Sequence, residues 1–227
     1  MRLEKIKKIK WSYPTDSELL NEIRTEYDIE KLIVTEYWPK DSHYKQAVHD
    51  IKKVSHLERL DPKKIKGRHL WKSYEELYRT VKSFGGPKDP EKMLEAIEDE
   101  KPLPMPIVVR KLNGELEVVG GNTRSGIAAL ADQEITALVI DEKSANFFKA
   151  DEIERKEEYE ARQENNLDFF NSLRDFILNN SHNPPRITNL TEYNYMLSLI
   201  KIARLRGLDV SDKEIKMEKK FLKEGEK

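Results

Sequence analysis

The chain has 227 residues, a formal net charge of -1 that balances 41 Lys and Arg against 42 Asp and Glu, and no cysteine. The missing cysteine excludes disulfide frameworks, thiolate zinc sites and cysteine nucleophiles, while the balanced charge neither supports nor excludes nucleic acid. Hydrophobic and charged residues each make up 37%, which implies a modest core and much solvated helix. No apolar run approaches the roughly 18 to 20 residues that cross a bilayer.

Residues 1 to 14 interleave Leu3, Ile6 and Ile9 with Lys5, Lys7, Lys8 and Lys10. This apolar period of three suggests a helix lying on the body with its lysines facing a polyanion, or else a solvated helix or edge segment. The stretch lacks the apolar core of a secretory signal, so a cytoplasmic protein is expected. Thr15-Asp16-Ser17-Glu18 forms a capping box ahead of Leu19, Leu20 and Ile23, and predicts a helix over about 16–27. Lys31 to Trp38 is rich in β-branched and aromatic residues, a strand or a buried helix. Helical spacing returns over 43–54, so 1–54 reads as a mostly helical N-terminal extension.

Between 55 and 70 the chain is basic and weakly periodic, with Arg59, Lys63, Lys64, Lys66, Arg68 and His69, which reads as a solvated loop. A helix over 73–84 follows. Gly85-Gly86 resembles a phosphate loop, but Asp89 as N-cap and Pro90 at the first helical position make it a helix stop before a new helix over about 90–99. Pro102, Pro104 and Pro106 then force an extended approach to the next segment.

That segment is the most informative. Ile107-Val108-Val109-Arg110 and Leu116-Glu117-Val118-Val119 flank an Asn113-Gly114 turn and predict a β-hairpin. The second strand runs into Gly120-Gly121-Asn122-Thr123-Arg124-Ser125, an alanine-rich helix follows, and Ile135 to Ile140 is a third strand. Adjacent glycines let backbone N–H groups converge at a helix N-terminus, where the dipole favours an anion, and Arg124 can add a bidentate guanidinium. Phosphate is the simplest ligand for that geometry. The same residues also fit an ordinary turn, with Arg124 solvated or paired with a nearby carboxylate.

Pro-Ile-Val-Val-Arg, an Asn-Gly turn, a strand, Gly-Gly-x-x-Arg, an alanine-rich helix and a closing strand together resemble the core of the ParB/sulfiredoxin superfamily, over roughly residues 89 to 141. The resemblance implies an α+β fold, a small mixed β-sheet core over 55–145 with added N-terminal helices and a helical C-terminal region over 146–227. It also implies a nucleotide, of the ATP or CTP type and di- or triphosphate, held by Gly120, Gly121, Asn122, Thr123, Arg124 and Ser125. Arg68 is the best positional match to an arginine box that helps hold nucleotide in partition proteins, although its neighbours do not reproduce that box. Sulfiredoxins place a cysteine and a histidine where Asn122 and Thr123 stand, so sulfinic acid repair is excluded.

After Ile140 comes a long helix of mixed charge at three- and four-residue spacing, a solvated, salt-bridge-laced helix. It runs into Glu164-Asn165, which resembles the Glu-Asn pair that faces magnesium and triphosphate in partition proteins. The spacing from the closing strand is longer here, and the pair fits helix surface equally well. A loop at 179–186 precedes a helix over 191–206 stopped by Gly207, and the tail is a charge run. The two helices around Gly207 fit an αα-hairpin or a helix-turn-helix.

No His-Glu-x-x-His, Gly-x-Ser-x-Gly or Walker lysine motif is present, and the five histidines lack ligand spacing. Phosphoryl transfer needs positioned phosphates, a metal and a carboxylate near the attacking hydroxyl. Glu36, Asp61 and Glu58 are candidates for that carboxylate. The expected function is a magnesium-dependent phosphoryl transferase, kinase-like or an NTP hydrolase, similar to stand-alone ParB-like proteins of phages and mobile elements linked to DNA base modification. The alternatives are a nucleotide-gated DNA-binding protein and, more weakly, a ParB-like nuclease.

Overall fold

The computed structural model describes residues 6, 8–25, 40–67, 70–83, 89–179, 181 and 184–213. In chain order they form β1 (Trp11–Ser12), α1 (Asp16–Thr25), α2 (Lys40–Val54), β2 (Ser55–Leu60), α3 (Tyr74–Ser83), α4 (Pro90–Glu98), β3 (Leu103–Pro104), β4 (Ile107–Arg110), β5 (Leu116–Gly120), α5 (Asn122–Leu130), β6 (Ile135–Asp141), α6 (Glu142–Gln163), α7 (Leu167–Leu178) and α8 (Leu190–Leu205), with one 3-10 turn at Pro62–Lys64. The class is α+β. The chain divides into two compact units, Met1–Ala145 and Asn146–Lys227. Among the described residues no helix is long and apolar enough to cross a membrane.

The first unit is built on a four-stranded mixed sheet in the order β2-β6-β4-β5, in which β6 is parallel to β4 and antiparallel to β2. The β4–β5 hairpin turns at Asn113-Gly114 as its sequence predicts. Gly114 takes φ +84°, and the Asn113 carboxamide oxygen accepts from Glu115 N–H at 3.0 Å. Side chains alternate across the sheet. Ile135, Ala137, Val139, Val108 and Val118 face Leu77 and Val81 of α3, Leu94 and Ile97 of α4, and Ile127 and Ala128 of α5. Leu138, Ile140, Ile107, Val109 and Val119 face Leu19 of α1 and Ala47, Val48 and Ile51 of α2. The sheet is thus covered on both faces, which is why β6 is apolar at nearly every position.

The caps follow the sequence. Thr15 Oγ1 accepts from Glu18 N–H at 3.3 Å while Glu18 Oε2 accepts from Thr15 N–H at 2.7 Å, the reciprocal box that starts α1. Asp89 caps α4 by accepting from Glu91 N–H at 3.1 Å, with Pro90 in the first turn.

Two expectations are corrected. Residues 8–10 are not helical; of the two alternatives the edge segment holds, and it continues into β1, parallel to β3. Leu103 N–H donates to Lys10 carbonyl at 2.8 Å and Met105 N–H to Ser12 carbonyl at 3.0 Å, so pairing with the proline-rich stretch outweighs the helical period. Nor is 55–60 a loop: it is edge strand β2, paired with β6 from Ser55↔Ile140 to Leu60↔Ile135. An edge strand with one neighbour and polar outward residues carries little apolar alternation to read. The Lys31–Trp38 run, the Gly85-Gly86 pair, Glu36, Arg68 and the charged tail from 214 lie outside the described residues.

In the second unit, α7 and α8 pack through Phe170, Leu173, Phe176, Tyr195, Leu199 and Ile202, all buried. The Phe170 and Tyr195 rings meet edge to face at 5.6 Å. Asn189 caps α8 by accepting from Glu192 N–H at 2.9 Å. Gly207, at φ +74°, ends it, with Leu208 N–H donating to Ala203 carbonyl at 2.9 Å.

Candidate functional site

The turn between β5 and α5 is where a strand end, a left-handed glycine and a helix start coincide. Gly120 pairs with Ile107 at the last position of β5, and Gly121 takes φ +81° as the N-cap of α5, with no side-chain cap hydrogen bond. The first N–H groups of α5 therefore lack both an intrahelical and a side-chain acceptor. A side chain at Gly121 is excluded twice. Left-handed backbone disfavours any Cβ, and a Cβ there would sit 2.6 Å from Arg124 Nη2 and 3.0 Å from Pro106 Cα.

Arg124 lies in the first turn of α5 and is 8% exposed. Its guanidinium passes over Gly121 and donates from Nη2 to Glu22 Oε1 at 2.9 Å. Glu22 is 5% exposed and belongs to α1, whose Leu19 packs on the opposite face of the sheet from the Ile127 and Ala128 of α5. The ion pair thus links the two helical layers past the end of the sheet. Around it, Arg124 Nε, Ser125 Oγ and Asn122 Oδ1 are buried and have no hydrogen-bond partner among the described residues. Buried polar atoms are ordinarily satisfied, so three such atoms within one turn, at an uncapped helix start, mark a place that can take an acceptor and a donor from outside. Thr123 is buried beside them.

Asp61 and Glu58 fall elsewhere in the first unit. Asp61 caps the 3-10 turn, accepting from Lys63 N–H at 3.0 Å, and lies 3.7 Å from Lys64 Nζ. Lys63 in turn pairs at 2.6 Å with Asp132, just beyond the C-terminal end of α5. Asp61 therefore stands by the end of α5 remote from Gly121, separated by a helix about 13 Å long. Glu58, on β2, is ion-paired with Arg110, which also donates to Asp141 Oδ1 at 3.0 Å. His56 lies 3.5 Å from Glu58 and 3.7 Å from Asp141, and the Glu58 contact raises the Arg110 pKa. Since Arg110 pairs with Asp141 at the finish of β4 while Gly120 pairs with Ile107 at its start, this cluster reaches the opposite end of the sheet from the glycine turn.

Glu164 and Asn165 lie in the second unit just beyond α6. Glu164 accepts from Tyr195 Oη at 2.8 Å, and burial together with that carboxylate raises the Tyr195 pKa. Asn165 takes φ +58° and lets Asn166 N–H return to Ala161 carbonyl at 2.8 Å, a helix-ending motif to which asparagine is suited. No group of three or more His, Asp or Glu side chains able to hold a metal is present among the described residues. Of the described carboxylates of the first unit, Glu22 is the one brought to the glycine turn, and no motif marks it. Its readable signal is position: an acid three residues after Leu19 on one helix shares the apolar face.

No protein-family model, no curated protein and no solved structure matches the chain.

Proposed function

We propose that the Gly120–Ser125 turn binds the phosphates of a nucleoside di- or triphosphate, and that the protein is a magnesium-dependent phosphoryl transferase of the ParB/sulfiredoxin type. One observation carries the reading: Arg124 Nε, Ser125 Oγ and Asn122 Oδ1, buried and unsatisfied among the described residues, gather at an uncapped helix start behind a left-handed glycine. An anion there accepts from the α5 N–H groups and Arg124, and from the Ser125 hydroxyl.

Glu22 gives the site its chemistry in this reading. Its carboxylate occupies the guanidinium in the manner of a resident anion. An arriving phosphate takes over Arg124 and leaves the Glu22 carboxylate beside the transferring group. An acceptor hydroxyl oxygen attacks the terminal phosphorus, the bond to the bridging oxygen breaks, the nucleotide leaves one phosphate shorter, and the hydroxyl proton passes to Glu22. Magnesium, which neutralises phosphate charge when bound, would ride on the nucleotide's own oxygens. Glu164 and Asn165 belong to the second unit, where Glu164 accepts from Tyr195 Oη.

Calorimetric titration of ATP, ADP, CTP and GTP with magnesium tests the shared premise. Binding is expected to one of them, weakened at least tenfold in Arg124→Lys, which keeps the charge and loses the fork. If every nucleotide fails to bind, or if Arg124→Lys binds as the parent does, the reading is wrong. Mass spectrometry of DNA carrying hydroxylated bases and of small hydroxylated metabolites, each incubated with the bound nucleotide, then separates transferase from nucleotide-gated DNA binder. The gate leaves both acceptors unchanged.

A further inference from the structure

A concave site lies in the first unit, away from the glycine turn. Residues 8–11 run as a strap beside the start of β6, held by Ile9 N–H donating to Gln133 Oε1 at 2.8 Å and by the β1–β3 pairing. Between strap and sheet is an open cleft of about 310 Å³ lined by Lys8, Ile9, Trp11, Arg59, Gln133, Glu134 and Thr136. Arg59 and Thr136 are a directly opposed cross-strand pair. They occupy the same face of the sheet as Leu138 and Ile140, which α1 and α2 cover. That face therefore turns polar where its helical cover stops.

Neighbouring lysines are spoken for: Lys10 by Glu100 at 3.0 Å, Lys63 by Asp132 at 2.6 Å, and Lys66 by Glu115 at 2.5 Å. Lys8 and Arg59 line the cleft with no ion-pair partner among the described residues, and Glu134, the one carboxylate of the lining, bridges to neither. Two cations against one carboxylate leave the cleft net positive. Trp11, half-buried, adds an aromatic surface, and Glu134 adds an acceptor.

We propose that this cleft is a nucleotide subsite, taking a phosphate between Lys8 and Arg59 and a base against Trp11. A guanidinium and an ammonium suit phosphate oxygens, an aromatic ring suits the face of any base, and Glu134 accepts from a base amine or a sugar hydroxyl. The volume suits a single small ligand. The proposal is independent of the Gly121 reading, since none of its residues belongs to that turn. The same chemistry is offered by a free mononucleotide or by one unit of a single strand.

The full chain is titrated with AMP, adenosine, inorganic phosphate and a short oligothymidylate, followed by calorimetry and tryptophan fluorescence, in the parent and in Lys8→Ala, Arg59→Ala and Trp11→Phe. Lys8 and Arg59 are exposed, so their variants keep the fold. AMP is expected to bind more tightly than adenosine or phosphate, to lose about tenfold in affinity in either alanine variant, and to lose its fluorescence response in Trp11→Phe. Oligothymidylate binding with AMP silent, and the same dependence on Lys8 and Arg59, supports the site with a strand as its source. The proposal is overturned if neither AMP nor the strand binds, if binding is indifferent to both alanine variants, or if inorganic phosphate binds as tightly as AMP.

Discussion

The two ends of the central sheet each hold an arginine between helices or strands and a carboxylate, yet they are built on opposite terms. At the glycine turn, Arg124 and Glu22 side chains are 10% and 6% exposed, and unsatisfied polar atoms surround them. At the other end, Arg110, Glu58 and Asp141 are each about one third exposed, and the arginine has two carboxylates within reach, with His56 bridging them. Water screens and replaces what the second cluster lacks, whereas the first has to be satisfied by protein or ligand. Local charge alone does not separate a structural ion pair from a candidate site. Burial combined with incomplete satisfaction does.

The largest effect should come from splitting the buried pair. Arg124→Ala strands a buried carboxylate and should cost about 3–5 kcal/mol in urea unfolding. The double variant Glu22→Leu with Arg124→Met should recover most of it, and a double variant as unstable as the single one breaks the contrast. Gly121→Ala comes next, with left-handed backbone and the guanidinium 2.6 Å from the new Cβ, at about 1–3 kcal/mol. Arg110→Ala should cost below about 1 kcal/mol and lose that cost in high salt, since its partners are partly solvated. An Arg110 effect as large as that of Arg124 would sink the comparison.

A third carboxylate sharpens it. Glu157 in the second unit is buried like Glu22 but receives a Ser198 hydroxyl at 3.0 Å in place of a guanidinium. Burial raises its pKa, an effect the Ser198 hydrogen bond partly opposes. A carboxyl whose folded pKa lies above its unfolded one binds more protons folded than unfolded between the two values, so stability falls as pH rises through that window. Glu157→Gln should therefore raise Tm at neutral pH, by an amount that shrinks as pH falls through that window and is gone below the ordinary carboxylate range. A constant difference across pH would show that Glu157 does not titrate in this way.

Much of this was legible in the residues. Asn113-Gly114, Asp89-Pro90 and Thr15 with Glu18 fix backbone geometry locally, so the hairpin and two helix starts followed from them, as did the turn at Gly120-Gly121. What escaped was decided by distant partners. The strap at 8–12 is held by residues 103–105 and Gln133, and β2 is held by β6 across the sheet. Arg124 offered two readings, phosphate ligand or partner of a carboxylate, and the structure supplies the carboxylate without removing the acceptor sites beside it. Glu22 itself was invisible, because a glutamate on a helix looks solvated until the neighbouring layer is in place.

That distance in sequence bears on how the chain folds. The β4–β5 hairpin closes over a handful of residues, whereas Glu22 and Arg124 are 102 positions apart, and long closures form later than local ones. The glycine turn should thus be in place before its resident carboxylate arrives. During refolding it is then most open to anions, and millimolar phosphate should speed the early protection of hairpin amides in pulsed hydrogen exchange while leaving the strap unchanged.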